Sequence, residues 1–221
     1  MQSATALPGF EHLLEVCRSR AHPLKLAPPP PFVPGLAAET SVAGRPMDSQ
    51  LAAVHARVGY LWVRDELYLF PARHEHRPDL HQVNERWRRD WAEPFGSLFV
   101  FAKDDRLAYC YATVPALADG MGTQPVVWVD VYEALYAVPV ASSVDHFFDT
   151  YARYLEASLA AGVDEEDGPP LRAFPWSASG VISRDRVLME RIRAGHFDFL
   201  LRANARAREW VERLVAASVR R

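Results

Sequence analysis

The sequence is poor in cysteine and has no long apolar run. Its 221 residues include two cysteines, Cys17 and Cys110, too far apart to form a CxxC motif. This spacing fits a reducing compartment, although a single disulfide stays open as an alternative. No window approaches about 18 consecutive apolar residues, the length of a membrane span. The N-terminal "MQSATALPGFEHLL" lacks a basic region followed by an apolar run, so we expect no secretory signal and a cytoplasmic protein.

The sequence also lacks the short motifs of common enzyme sites. No GxSxG, GxGxxG or GxxxxGK[ST] occurs, and Gly120-Met121-Gly122 is too short for a phosphate-binding loop. Cys17 and Cys110 each fall within an apolar predicted element, which favours buried structural thiols over nucleophiles. We therefore predict a protein that is not an enzyme and needs no cofactor.

Three histidines form the best candidate for a metal site. His74 and His76 are two residues apart in "HEHRPDLH", and His81 follows five residues later. Such a set can bind zinc or another divalent cation, which would make a metal-dependent hydrolase a third candidate function. A polar surface loop explains the same residues, and we favour it because two histidines and a carboxylate often come together by chance.

Charge is unevenly distributed along a chain of ordinary globular composition. The sequence is 49% hydrophobic and 24% charged, with a net charge of −3 that does not indicate nucleic-acid binding. Residues 95–168 hold twelve acidic and three basic residues, whereas residues 169–221 hold eleven arginines and five acidic residues. Two interpretations stay open: the basic tail docks on the acidic segment, or the acidic face is kept for a basic partner.

Apolar periodicity predicts six helices and six strands. The helices lie at residues 10–20, 46–59, 80–91, 142–162, 183–193 and from 196 onward. Asp48 or Ser49 is expected to cap the second helix, Gly59 to end it in a left-handed conformation, and Ser142 or Ser143 to cap the fourth. The strands include a hairpin at 60–70, a second hairpin at 98–112 with a turn at 103–106, the buried run "PVVWVD", and residues 135–140.

These elements predict an α+β fold in which helices pack on a mostly antiparallel sheet of five or six strands. The main domain is expected at residues 1–162. Within it, the proline-rich segment 24–47 is predicted to be an extended connector, because consecutive prolines lack amide donors. A docking site for proline-recognising modules is an alternative for that segment. Residues 163–182 are predicted as a linker, and residues 183–221 as a helical extension docked on or beside the domain.

The order of elements between residues 46 and 159, about half of the chain, resembles the SUKH superfamily of cell-wall assembly regulators and bacterial immunity proteins. "RPMDSQLAAVHARVG" resembles the proline-led helix of that family, and "FGSLFVFAKDDRLAYCYA" is similar to its central hairpin. "PVVWVD" resembles the strand that follows, and "VPVASSVDHFFDTYARYL" the closing strand and serine-capped aromatic helix.

The resemblance implies a non-enzymatic immunity protein that binds and neutralises a cognate toxin, often a nuclease. A scaffold or regulator of the same fold, bound to a cellular partner, is the alternative. Neither direct nucleic-acid binding nor membrane binding is expected. A basic nuclease groove would be attracted by an acidic face with aromatic anchors. The candidate contact residues are Asp104, Asp105, Asp119, Asp130, Glu133, Tyr109, Tyr111 and Trp128.

Overall fold

The computed structural model describes residues 5–29, 41–64, 66–104, 109–132, 135–160, 174–202 and 204–219. These residues form an α+β fold, as predicted. The helices are α1 Pro8–Ser19, α2 Ser49–His55, α3 Leu80–Asp90, α4 Val144–Ala160, α5 Ser179–Ile182, α6 Arg186–Arg193, α7 Asp198–Leu201 and α8 Ala205–Val219. The strands are β1 Leu24–Ala27, β2 Ser41–Val42, β3 Arg45–Pro46, β4 Tyr60–Val63, β5 Leu67–Leu69, β6 Phe99–Lys103, β7 Cys110–Thr113, β8 Val126–Asp130 and β9 Tyr136–Ala141.

Seven strands form one antiparallel sheet in the order β1-β4-β5-β6-β7-β8-β9, and β2 and β3 form a separate small ribbon. The hairpin at 60–70 and the strands predicted from 98 onward are confirmed. The segment predicted as a connector at 24–47 was wrong in part, because Leu24–Ala27 pairs along its whole length with β4. Residues 30–40 of that segment lie outside the described part of the chain.

Helix α4 has the apolar face that its sequence predicts. Ser143 accepts a hydrogen bond from the amide of His146 at 3.1 Å and so caps the helix. The buried ring of Phe147 lies 5.6 Å from that of Phe101 and 4.9 Å from that of Tyr111. Burial of each such side chain stabilises the fold by about 1.5–3 kcal/mol, which holds α4 on the sheet.

Gly59 has a different function from the predicted one. Helix α2 begins after Asp48, as expected, but it ends at His55 and its C-cap Ala56 is right-handed. Gly59 lies beside β1, where its amide donates to the carbonyl of Ala27 at 2.8 Å. A Cβ at this position would overlap the carbonyl oxygen of Pro28. The glycine therefore permits close approach of two backbones.

The C-terminal region departs from its prediction in two places. Residues 163–173 of the predicted linker lie outside the described part of the chain, but Phe174 is buried and its ring lies 5.2 Å from that of Tyr151. The single long helix predicted from residue 196 was wrong, because it is divided into α7 and α8. The side chain of Asn204 accepts a hydrogen bond from the amide of Arg206 at 2.8 Å and starts the second helix.

The C-terminal helices share the core of the sheet. Trp210 of α8 is fully buried, and its indole N–H donates to the backbone carbonyl of Pro139 in β9 at 2.9 Å. The ring of Trp176 contacts both Trp210, at 5.0 Å between centroids, and Trp128, at 6.1 Å. The region after residue 174 therefore contributes to the same hydrophobic core as the strands.

The two faces of the sheet carry different side chains. Because side chains alternate along a strand, the paired residues Leu69, Ala102, Tyr111 and Trp128 lie on the face that α4 and α8 cover. We call this the covered face. The next row along the strands, Lys25, Trp62, Tyr68, Lys103 and Cys110, lies on the opposite face.

Helix α3 lies against β6. Its buried Asn84 donates to the carbonyl of Val100 and accepts from the amide of Val100, each at 2.8 Å. One side chain therefore supplies both hydrogen bonds of Val100, beside the point where the pairing of β6 with β7 shifts in register.

Replacing Trp210 tests the contribution of the C-terminal helices to the core. Trp210→Ala should lower the free energy of unfolding by about 3–5 kcal/mol, because it leaves a large cavity. Trp210→Phe should cost less, about 1–3 kcal/mol, because it keeps a ring but removes the donor to Pro139. Urea denaturation measures both values. An unchanged main transition in both variants would contradict the shared core.

His55 makes the stability of the fold dependent on pH. Its side chain is buried in α2, and among the described residues neither ring nitrogen has a hydrogen-bond partner. Burial lowers the pKa of His55 from 6.5 to about 4. Between about pH 6.5 and pH 4, His55 is protonated in the unfolded chain but neutral in the folded chain. The free energy of unfolding therefore falls as the pH drops from about 6.5 toward 4.

His55→Leu should remove this dependence. Between pH 7.5 and pH 5 the wild type should lose about 2 kcal/mol more than the variant. Burial raises the pKa of Asp48 to about 6. The contribution of Asp48 is therefore present at low pH and lost as the pH rises through about 6, opposite in sign to that of His55. The difference between the two proteins, measured by urea denaturation at each pH, isolates His55, and parallel curves would contradict the prediction.

Candidate functional site

Five residues meet where the loops after β6 and β8 approach each other. We call Asp104, Tyr109, Asp130, Tyr132 and Tyr136 the tyrosine–carboxylate patch. Asp104 follows β6, and its amide donates to the carbonyl of Tyr109 at 2.9 Å. Asp130 ends β8 and pairs with Tyr136 at the start of β9. The antiparallel order of the strands therefore brings these residues to one end of the sheet.

Asp130 is a buried residue of the patch and holds its loop in place. Its carboxylate is buried and accepts a hydrogen bond from the amide of Tyr132 at 2.9 Å. Tyr136 pairs with Asp130 across the two strands, and the charges of Asp130 and of Arg206 in α8 act on its hydroxyl. Burial, and then the charge of Asp130, raise the pKa of Tyr136 to about 12, so this tyrosine stays neutral. Asp130 therefore positions the loop that carries Tyr132.

Tyr109 and Tyr132 form the outer part of the patch. The half-buried ring of Tyr109 lies 4.6 Å from the ring of Trp128 and 5.4 Å from that of Tyr132. Burial, followed by the charge of Asp130, raises the pKa of Tyr109. Tyr132 is 55% exposed. A large ring that is exposed to solvent and supported by a second ring is a suitable anchor for another protein.

The structure divides the predicted contact residues into separate groups. Asp104, Tyr109 and Asp130 come together in the patch, whereas Asp105 and Glu133 are not among the described residues. Asp119 lies near the other end of the sheet, where one carboxylate oxygen accepts hydrogen bonds from the amides of Met121 and Thr123 at 2.9 Å each. This exposed carboxylate shapes a turn.

Tyr111 and Trp128 require a correction. Both are 2% exposed, and their rings lie on the covered face of the sheet. They belong to the hydrophobic core and are removed from the candidate contacts. Tyr132 was missed as a candidate, although its place in the short loop after the strand "PVVWVD" could have indicated it.

The histidines near α3 engage one another within their loop. The amide of His76 donates to Nδ1 of His74 at 3.0 Å, and the two rings lie 6.4 Å apart. His81 lies in the first turn of α3. Within the part of the chain that the structure describes, no group of three or more histidine, cysteine, aspartate or glutamate side chains has the geometry to hold a metal ion.

Both cysteines are free thiols in the structure. Burial raises the pKa of Cys17 to about 11 and that of Cys110 to about 11, so neither forms a thiolate near neutral pH. At these positions cysteine packs as a small apolar side chain.

Two arginines of the basic tail act on residues of the acidic segment. Arg191 donates to the backbone carbonyl of Leu117 at 2.9 Å, and the charge of Arg206 acts on the hydroxyl of Tyr136. Neither of these interactions is with a carboxylate, so both interpretations of the charge distribution stay open. The patch also contains the half-buried Asp104 and the buried Asp130 near its exposed ring.

Comparisons of the chain with protein-family models, with curated proteins and with solved structures each give no significant match. Among the described residues, no helix has the length and apolar character needed to cross a membrane.

Two substitutions separate the supporting part of the patch from its exposed part. Asp130→Ala should lower the free energy of unfolding by about 1–3 kcal/mol, because it leaves the Tyr132 amide without its acceptor. Tyr132→Ala should change it by less than about 0.5 kcal/mol, because the ring is mostly in water. Thermal and urea denaturation of the two variants test this order, and equal effects would contradict it.

Proposed function

We propose that this protein is a non-enzymatic immunity protein of the SUKH type, which binds a cognate toxin through the tyrosine–carboxylate patch. The observation that carries the proposal is the exposed ring of Tyr132, supported by Tyr109 and placed beside Asp104 and Asp130. The order α2, β4–β5, β6–β7, β8, β9, α4 agrees with the order of elements on which the resemblance rests.

The composition of the patch suits a basic partner. Tyrosine brings a rigid ring with a polar end, and such residues often carry a large share of the binding energy at an interface. Asp104 lies at its half-buried rim, where a carboxylate increases the rate of association with a positively charged surface. A nuclease toxin has a basic groove because it must bind the phosphates of its substrate. Binding there would block the substrate without any chemical step.

The support beneath the patch favours rapid and tight binding. The rings of Tyr109 and Trp128 lie against each other, and Asp130 fixes the backbone amide of Tyr132. A surface that is already ordered loses little conformational entropy when its partner binds. An immunity protein needs this property, because free toxin kills the cell that produces it.

Co-expression with the product of the adjacent gene tests the proposed function directly. If that product is a toxin, the wild-type protein should restore growth, and calorimetry on the purified pair should give one-to-one binding. A pair that binds without any effect on growth would instead indicate the scaffold or regulator. Failure of both growth rescue and binding would contradict the immunity function.

Matched variants test the surface. Tyr132→Ala should weaken binding by at least tenfold, the loss of an anchor residue. Met121→Ala is the control, because Met121 is 81% exposed in the loop between β7 and β8, at the other end of the sheet. Asp104→Asn should reduce the association rate at 50 mM salt and have little effect at 500 mM salt. Equal affinity of the Tyr132 variant and the control would exclude the patch.

A further inference from the structure

We propose that a groove on the opposite face of the sheet binds a single-stranded nucleic acid. The groove has a volume of about 420 Å³ and lies over β1, β4, β5 and β6. Its lining comprises four aromatic side chains, three cations and a proline, namely Tyr60, Trp62, Tyr68, Phe70, Lys25, Arg77, Lys103 and Pro78. It shares none of these residues with the tyrosine–carboxylate patch, so this inference does not rest on the proposed function.

Strand register sets the order of charges and rings in the groove. Lys25, Trp62, Tyr68 and Lys103 are successive partners across β1, β4, β5 and β6. Neighbouring strands are about 4.8 Å apart, so the backbones of the two lysines are separated by about 14 Å. A lysine therefore stands at each end of the row, with an indole and a phenol ring between them.

Each cation of the groove lies over an aromatic ring. The Lys25 ammonium is 4.3 Å from the centre of the Trp62 ring, and the Lys103 ammonium is 5.6 Å from that of Tyr68. The Arg77 guanidinium is 5.5 Å from the centre of the Tyr60 ring. Cation–π contacts restrict these long side chains, so that less conformational entropy is lost when a ligand binds.

One polar atom of the groove wall has no hydrogen-bond partner among the described residues. The Tyr68 hydroxyl is shielded from solvent, and no described residue forms a hydrogen bond with it. A shielded hydroxyl that forms no hydrogen bond is unfavourable. A ligand oxygen or ring nitrogen that reaches this hydroxyl would remove that penalty.

These features favour a nucleic acid strand over other anions. Three of the described lining residues are cationic, which favours an anionic ligand. Separated lysines suit an anion with repeated charges better than a single phosphate. The half-buried rings of Tyr60 and Trp62 suit bases, which stack on aromatic side chains. An acidic peptide offers no flat ring beside each charge, and a duplex hides its bases.

The local charge of the groove revises the expectation taken from the whole chain. A net charge of −3 predicted no nucleic-acid binding. The acidic residues that produce this value are concentrated in residues 95–168, whereas the groove residues other than Lys103 come from residues 1–94, which hold eleven basic and eleven acidic residues. A cationic groove therefore exists on an acidic protein.

Fluorescence anisotropy with a labelled twelve-nucleotide thymidine strand and a labelled twelve-nucleotide uridine strand tests the proposal. The full-length protein should bind both strands. Two or three phosphate contacts predict a roughly 7- to 20-fold loss of affinity between 50 and 200 mM salt. Trp62→Leu should weaken binding at least tenfold, whereas Trp62→Phe, which keeps a ring, should retain most of it. Lys25→Gln and Lys103→Gln should each reduce both affinity and salt dependence.

Controls identify the competing explanations. The double variant Arg184→Gln/Arg186→Gln changes exposed arginines outside the groove. If it weakens binding as much as Lys25→Gln, the basic tail binds the strand and the groove does not. Equal competition by polyglutamate, with no effect of Trp62→Leu, would show an acidic-peptide surface. Thymidine monophosphate competing at the same concentration as the strand would show a single-nucleotide site, and absence of binding would end the proposal.

The two functions can fail separately. The Trp62 and lysine variants of the groove should neutralise the toxin as well as the wild type does, and Tyr132→Ala should bind the labelled strands normally. Loss of strand binding in Tyr132→Ala at an unchanged melting temperature would place the strand on the patch and overturn the assignment to the groove.

Discussion

Buried and half-buried carboxylates that accept hydrogen bonds from backbone amides connect the helices of this protein to its sheet and to one another. The first amides of a helix have no partner within the helix itself. Asp48 caps α2 with one oxygen and accepts from the distant amide of Gln124 with the other, at 2.6 Å. Asp185 caps α6 and accepts from the amide of Ser142, at 2.7 Å. Asp145 of α4 accepts from two amides at the start of α1. Each carboxylate thus accepts a hydrogen bond from an amide at the start of a helix and also fixes a tertiary contact.

This arrangement decides which surfaces stay open for recognition. Asp145 holds α1 against α4, and Gly9 permits the contact because a Cβ there would overlap the backbone of Asp145. Asp185 fixes α6 at the end of β9. The covered face is therefore filled by helices that come from both ends of the chain. Two surfaces of the described residues are open to a partner: the end of the sheet where Tyr132 lies, and the part of the opposite face beside α3.

The elements that could be predicted from the sequence are those whose own pattern determines their environment. Helix α4 and strand β8 carry so many apolar residues that their own sequences predict their burial, whatever elements lie beside them. Strand β1 could not be predicted, because "LKLA" stands among prolines and becomes a strand only by pairing with β4. The same limit applied to the site: Asp104 and Tyr109 were identified, but only the tertiary structure shows that Tyr111 is buried and Tyr132 is exposed. The groove could not be predicted either, because its residues come from four strands and a loop.

The two edges of the sheet are closed to further strands by different means. At β9, the indole of Trp210 donates to the carbonyl of Pro139, and Asp185 accepts from the amide of Ser142, just beyond the strand. These side chains occupy backbone groups that a neighbouring strand would otherwise pair with. At β1, four residues lie between Pro23 and Pro28, and proline has no amide hydrogen to extend a ladder. A second copy of the chain therefore finds little continuous backbone to pair with, so the molecule resists edge-to-edge aggregation even where its sheet is uncovered.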